Sequence, residues 1–194
     1  MQRISGGVMP LVATIDTDKN KAFASVNNIV LKDHYKKYYN YFVALLNSEI
    51  LNWYYSICYS NKSNLTVNIS KTYLESLPIK GVTHGLKLDI LVSYLLFIKS
   101  DLTFSRIEVV FLEQLVNGVI YELYFDEQFL KAKKQLLNQL GDLKPLTESM
   151  SDEEKLAVIQ SEFERLYDPN HPVRNNLETL DSIEEVRIIK EALK

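Results

Sequence analysis

From residue 41 onward, apolar side chains return every three or four positions, and this spacing limits the fold more than any other feature of the chain. Phe42, Leu46, Ile50, Trp53 and Ile57 form one such stripe over residues 41–59. A period near 3.6 puts them on one face of a helix, and that face must be buried against something. Leu88, Leu91, Val92, Leu95 and Leu96 form a second stripe. The stretch 104–125 is apolar on most sides and predicts a central helix enclosed by its neighbours. Phe129, Leu130, Leu136, Leu137 and Leu140 carry the pattern on to Gly141, a residue suited to stop a helix. Ser151, Asp152, Glu153 and Glu154 have the form of a capping box. The helix they open has Leu156, Ile159, Phe163 and Leu166 as its core face. A proline-bounded segment, 168–172, then precedes a last helix lined by Leu180, Ile183, Val186, Ile189 and Leu193.

The first 33 residues lack this period. Residues 8–15 are rich in β-branched and aliphatic side chains, 16–20 form a turn cluster, and 22–31 is a second extended run. The pair predicts a β-hairpin with a polar, basic tip at Lys19, Asn20 and Lys21. Residues 60–68 read as a polar loop, and Ser70 as the cap of a short helix that ends before Pro78. Gly81 and Gly85 mark a linker. The predicted fold class is therefore α+β: N-terminal strands with a packed helix over residues 1–80, then a mainly α-helical part over residues 81–194.

A chain of 194 residues, 46% apolar and 24% charged, has the makings of a buried core. Cys58 is its only cysteine, which excludes an internal disulfide or a thiolate zinc cluster and suits a reducing cytoplasm. The longest apolar stretch, 90–98, falls short of the roughly 20 residues that span a bilayer. Residues 2–7 are polar with no apolar segment after them, so no secretory signal and no membrane partner is expected. Charge is unevenly divided. Residues 1–100 hold 11 Lys/Arg against 6 Asp/Glu, and residues 101–194 hold 11 against 19. A polyanion is attracted to the first part and repelled by the second.

Motifs of catalysis are missing. There is no Gly-rich nucleotide loop, no His-Glu-x-x-His, no nucleophile elbow, and His34, His84 and His171 share no helix face. No catalytic, cofactor-binding or metal-ligating residue is assigned, and a free-standing enzyme ranks last among the readings. Basic residues interleaved with aromatics are present instead. Eight of the twelve tyrosines lie between 35 and 73, beside Lys32, Lys36 and Lys37. Cations of this kind meet phosphates, rings pack on sugars or bases, and asparagine reads base edges. Tyr54, Tyr55 and Tyr59 ride on the amphipathic helix and are weighed toward the core. His171-Pro172-Val173-Arg174 reads as a rigid turn in which Arg174 bonds helix-end carbonyls or acidic neighbours. The candidate DNA-binding residues, taken by type and loop position, are Arg3, Lys19, Asn20, Lys21, Lys32, Lys36, Lys37, Lys62, Asn64 and Lys71.

The order of certain residues goes further. Leu45-Leu46-Asn47-Ser48 within a helix, an aromatic helix end, a polar loop, then Ile69-Ser70-Lys71 and Leu77-Pro78-Ile79 form a recognisable series. It resembles the TaqI-like C-terminal specificity domain of bacterial N6-adenine DNA methyltransferases, above all the type IIG chains that fuse methylase and restriction activities. Target-recognition domains of type I specificity subunits show a similar series. Arg3-Ile4-Ser5-Gly6-Gly7 fits the same family. Residues 119–125 and His171-Pro172-Val173-Arg174 resemble the end of the methylase-restriction proteins. Lys80 departs from the pattern, which there continues with a second proline. The resemblance implies a DNA sequence-specificity module, itself non-catalytic, with double-stranded DNA and the methyltransferase domain of its parent as partners. S-adenosylmethionine is implied for that catalytic domain. Its Asn-Pro-Pro-Tyr type motif and Phe-x-Gly-x-Gly type loop do not occur here, so Met1 is expected to open a fragment of a longer protein. Two alternatives stand beside this: a helical protein-interaction module that braces neighbouring domains, and a type I-like specificity subunit.

Overall fold

The structure is a computed structural model that describes residues 1, 4–5, 7–16, 26–59, 67–82, 85–100 and 106–194. Its elements in order are β1 (Ile4–Ser5), a 3-10 helix (Asp33–Tyr38), α1 (Tyr39–Asn47), α2 (Glu49–Tyr59), β2 (Val67–Asn68) and α3 (Lys71–Glu75). There follow α4 (Gly85–Ser100), α5 (Arg106–Tyr124), α6 (Asp126–Ala132), α7 (Asp152–Tyr167), α8 (Pro172–Glu178), a 3-10 turn (Leu180–Ser182) and α9 (Glu184–Ala192). The chain divides into two compact units: residues 1–82 with 188–194, and residues 83–187.

The fold is all-α, and the predicted α+β class is corrected. β1 and β2 pair antiparallel, Ile4 opposite Asn68 and Ser5 opposite Val67, and this two-residue ladder is the one sheet among the described residues. Residues 8–15, expected as a strand, form no strand. Their hydrogen bonds go to side chains instead. The Leu11 N–H donates to Asn52 Oδ1 at 2.7 Å and the Ala13 N–H to Asn47 Oδ1 at 3.0 Å. Asn47 Nδ2 donates back to the Ala13 carbonyl at 2.9 Å, and Asn52 Nδ2 reaches the Leu11 carbonyl at 3.5 Å. Two side-chain amides thus take the place of a neighbouring strand, which satisfies the backbone without building a sheet. The second run is irregular over residues 27–32. The hairpin tip at Lys19, Asn20 and Lys21 lies outside the described residues.

The expected single helix over 41–59 is also two. Ser48 leaves the helical region (φ −71°, ψ 152°), its Oγ donates to the Leu45 carbonyl at 2.6 Å, and it accepts the Leu51 N–H at 3.3 Å. Ser48 therefore closes α1 and caps α2. The break turns Asn47 and Asn52 toward residues 11–13. Tyr41, Leu45, Leu51, Tyr55 and Ile69 are among the buried side chains of this unit.

In the second unit α4 packs on α5, and α5 on α6 and α8. α5 is enclosed as predicted, with Phe111, Leu112, Leu115, Val119, Ile120 and Tyr121 buried. Gly118 lets Leu136 and Leu177 approach: a Cβ there would lie 2.7 and 2.8 Å from their methyls. Leu96, expected on the core face of α4, is 43% exposed. The helix expected to reach Gly141 ends instead at Lys133, which adopts the left-handed region at φ 56°. The cause is Glu122, buried on α5, whose Oε2 accepts the N–H groups of Leu136 and Leu137 at 2.7 and 2.8 Å. A buried carboxylate needs such donors, and supplying them pulls the chain out of helix.

The capping box on α7 is present, with Ser151 Oγ accepting the Glu154 N–H at 3.2 Å and Glu154 accepting the Ser151 N–H at 2.8 Å. The proline-bounded segment opens α8: His171 Nδ1 accepts the Val173 N–H at 3.2 Å, and Pro172 takes the first helical position. What was expected as one last helix is α8, a 3-10 turn and α9. Arg174 behaves as a structural residue, donating to the Tyr167 carbonyl at 2.8 Å and to Glu178 at 2.9 Å.

Candidate nucleic-acid interface

Of the ten residues selected by sequence, Lys32, Lys36, Lys37 and Lys71 fall among the described residues, and all four are exposed. Arg3, Lys19, Asn20, Lys21, Lys62 and Asn64 lie outside them. Three of the four lysines come from one short element. Lys32 precedes the 3-10 helix Asp33–Tyr38, and Lys36 and Lys37 sit in its last turn. With three residues per turn, positions i and i+3 eclipse. That geometry stacks Asp33 on Lys36 and gives a 2.6 Å ion pair. Lys36 therefore has part of its charge answered locally. Lys37 is directed over the Tyr38 ring, 5.0 Å from its centroid. Among the described residues no carboxylate pairs with Lys32 or Lys37. These two are the better placed to meet a phosphate.

Aromatic packing holds the element in place. His34 lies against Tyr35 at 4.1 Å, and Tyr35 meets Phe42 of α1 edge-on at 5.9 Å. Behind it, the Tyr41 hydroxyl donates to the carbonyls of Lys80 and Gly81 at 3.1 and 2.9 Å. Burial pushes that phenol up to about 12, so it stays a donor at any physiological pH.

Lys71 stands apart, in the first turn of α3, where Ser70 Oγ accepts the Tyr73 N–H at 3.3 Å. It pairs with Glu75 at 3.5 Å on the open surface, a contact of small energetic weight. Tyr73 of α3 stacks on Tyr59 of α2, with centroids 4.7 Å apart and planes 16° from parallel. Tyr55 is fully buried, as weighed from the sequence, whereas Ile57, expected on the apolar stripe of this helix, is 62% exposed. A hydrogen bond donated to Tyr59, and then the charge of Tyr59, push the Tyr54 phenol up to about 12.

Asn47 and Asn52 were not among the selected residues, yet they position the extended segment of this unit. The sequence held only a faint signal: Asn52 stands in α2 among the buried Ile50, Leu51 and Tyr55, where an amide is buried only if something uses it. What the amide meets is 41 residues away, and no local pattern names it. Among the described residues no cluster of His, Cys, Asp and Glu is arranged to hold a metal ion. No described helix is long and apolar enough to cross a membrane.

Comparison with known proteins gives one finding. Residues 2–79 match the family model of the TaqI-like C-terminal specificity domain. No curated protein and no solved structure matches the chain.

Proposed function

We propose that the chain is the sequence-specificity part of a bacterial restriction-modification enzyme that methylates adenine N6 in DNA. The family match over residues 2–79 carries this reading. The exposed lysines around the 3-10 helix support it, because phosphate contacts supply most of the affinity of such a module. The chain grips the duplex and does no chemistry. Methyl transfer and S-adenosylmethionine binding are assigned to a separate methyltransferase domain, since the catalytic motif and cofactor loop of that family are not in this sequence. The target adenine is flipped out of the stack in that domain. In this reading residues 1–80 meet DNA, residues 81–194 brace the assembly, and the site of action is the bacterial cytoplasm. The bracing role has its own support in apolar side chains left open on α4 and α5: Leu86 is 71% exposed and Ile107 59%.

The test is duplex binding by the 194-residue chain across a salt series. Wild type is expected to bind with an affinity that falls steeply as salt rises. Lys36→Glu with Lys37→Glu is expected to weaken binding to all sequences and to flatten the slope by about one unit per lost phosphate contact. Unchanged affinity and slope in the double variant would remove these lysines from the interface. Absence of salt-sensitive binding in wild type, with tight binding to a methyltransferase domain, would leave bracing as the function.

A further inference from the structure

Residues 11–16 combine order with a missing sheet. Burial alternates along them: Leu11 is buried, Ala13 and Ile15 are half-buried, and Val12, Thr14 and Asp16 are exposed. The N–H and C=O of Leu11 turn to one amide and those of Ala13 to another. That is the pattern of an extended chain with one edge occupied. Two asparagines, one of them fully buried, are spent on fixing a stretch that pairs with no strand among the described residues. No described residue bonds the backbone of Val12 or Thr14 on the opposite edge.

We infer that Val12 and Thr14 are specificity-determining residues that meet base edges in the major groove of a DNA duplex. This rests on the DNA-binding reading of residues 2–79. The lysines alone cannot provide discrimination, because a cation on a phosphate carries no sequence information. Base reading needs short, stiff side chains on a fixed backbone. Valine and threonine are branched at Cβ and restricted at χ1, and the amide clamp fixes the backbone beneath them. Alternate residues of an extended chain are about 6.6 Å apart. Two base-pair steps cover about 6.8 Å. Successive outward side chains therefore fall in register with every second step. The methyls of Val12 and Thr14 suit the thymine methyl, and the Thr14 hydroxyl can donate to or accept from a base edge. The N–H groups of Val12 and Thr14, which no described residue accepts, can donate to phosphate oxygens.

The experiment selects a pool of duplexes with randomised centres on the 194-residue chain and sequences the bound fraction. Wild type, Val12→Ala with Thr14→Ala, Thr14→Val and Lys37→Ala are compared. Both residues are exposed, so unfolding curves should coincide, and Thr14→Val keeps shape while removing only the hydroxyl. Wild type is expected to enrich a motif. The double variant should relax at least one position of it by about tenfold while total binding stays within about twofold. Lys37→Ala should weaken every sequence alike. An unchanged motif in both Val12/Thr14 variants overturns the inference and leaves the DNA-binding reading standing. Wild type that binds no duplex, or all duplexes equally, overturns both.

Discussion

Asn52 is the residue on which the extended segment depends most, and its removal has a calculable cost. In Asn52→Ala the Leu11 N–H loses its acceptor at 2.7 Å. Leu11 is 1% exposed, so water does not replace it. An orphaned buried N–H costs about 1–3 kcal/mol. The Ser48 carbonyl loses the Nδ2 donor at 2.9 Å but keeps the Asn52 backbone N–H at 3.1 Å. That loss is about 0.5 kcal/mol, and the better helix propensity of alanine returns a similar amount. The net expectation is a destabilisation of about 2 kcal/mol, seen as a fall of at least about 4 °C in the unfolding midpoint. Hydrogen exchange localises the effect: protection of the Leu11 amide should fall about 30-fold. Asn52→Asp gives an independent signature. Its carboxyl keeps the acceptor but sets an oxygen against the Ser48 and Leu11 carbonyls, so the folded state favours the protonated acid. A carboxyl whose folded pKa lies above its unfolded value loses stability as pH rises through the unfolded value toward the folded one. Asn52→Asp should therefore approach wild type as pH falls, and Asn52→Ala should not. A loss under about 0.5 kcal/mol in Asn52→Ala with a still-protected Leu11 amide would refute the clamp.

Two further outcomes are expected. Glu122→Gln keeps an acceptor for the Leu136 and Leu137 N–H groups but loses charge assistance on both bonds, costing about 2 kcal/mol in urea unfolding; a wild-type midpoint would mean that segment 133–141 is held by packing alone. At His171, burial and then the Arg165 charge hold the imidazole below its ordinary 6.5, against an opposing pull from Asp168. Its contribution is thus full above pH 6.5 and is lost as pH falls from there toward the folded value, where protonation destroys the cap on Val173. His171→Asn should preserve the cap and remove this acid sensitivity in unfolding measured between pH 7 and 5, and a variant as acid-sensitive as wild type would contradict the assignment.

What could be read from the sequence was whatever local rules decide. The Ser151 box, the Ser70 cap, the Arg174 turn and the enclosed α5 each depend on residues within a few positions of one another. The strands failed because residues 8–15 have the composition of a strand but a partner of another kind. Their hydrogen bonds end on side chains 34 and 41 residues away, and β-propensity does not distinguish an amide clamp from a neighbouring strand. The helix expected to end at Gly141 failed for a related reason, since Glu122 acts 14 residues ahead of the segment it bends. In the interface, the lysines were legible by residue type alone. No helix was expected over residues 33–38, so neither the Asp33–Lys36 pair nor the greater availability of Lys32 and Lys37 could be read; both follow from the 3-10 geometry that answers one lysine.

The amide clamp also bears on how such a module can change its target. A strand in a sheet is fixed by its neighbours, so altering one strand disturbs the next. Here Asn47 and Asn52 hold residues 11 and 13 by backbone groups alone, and those groups are the same whatever side chains stand at 12 and 14. The inward positions Leu11, Ala13 and Ile15 answer to the core, whereas the side chains at 12 and 14 are exposed. Substitutions at exposed sites away from caps and cores generally change stability by less than about 0.5 kcal/mol. Holding the segment by its backbone therefore separates two demands that compete in most binding surfaces. Folding is secured by two asparagines, Asn52 buried and Asn47 half-buried, and the residues that would choose a sequence are free to vary without unfolding what presents them.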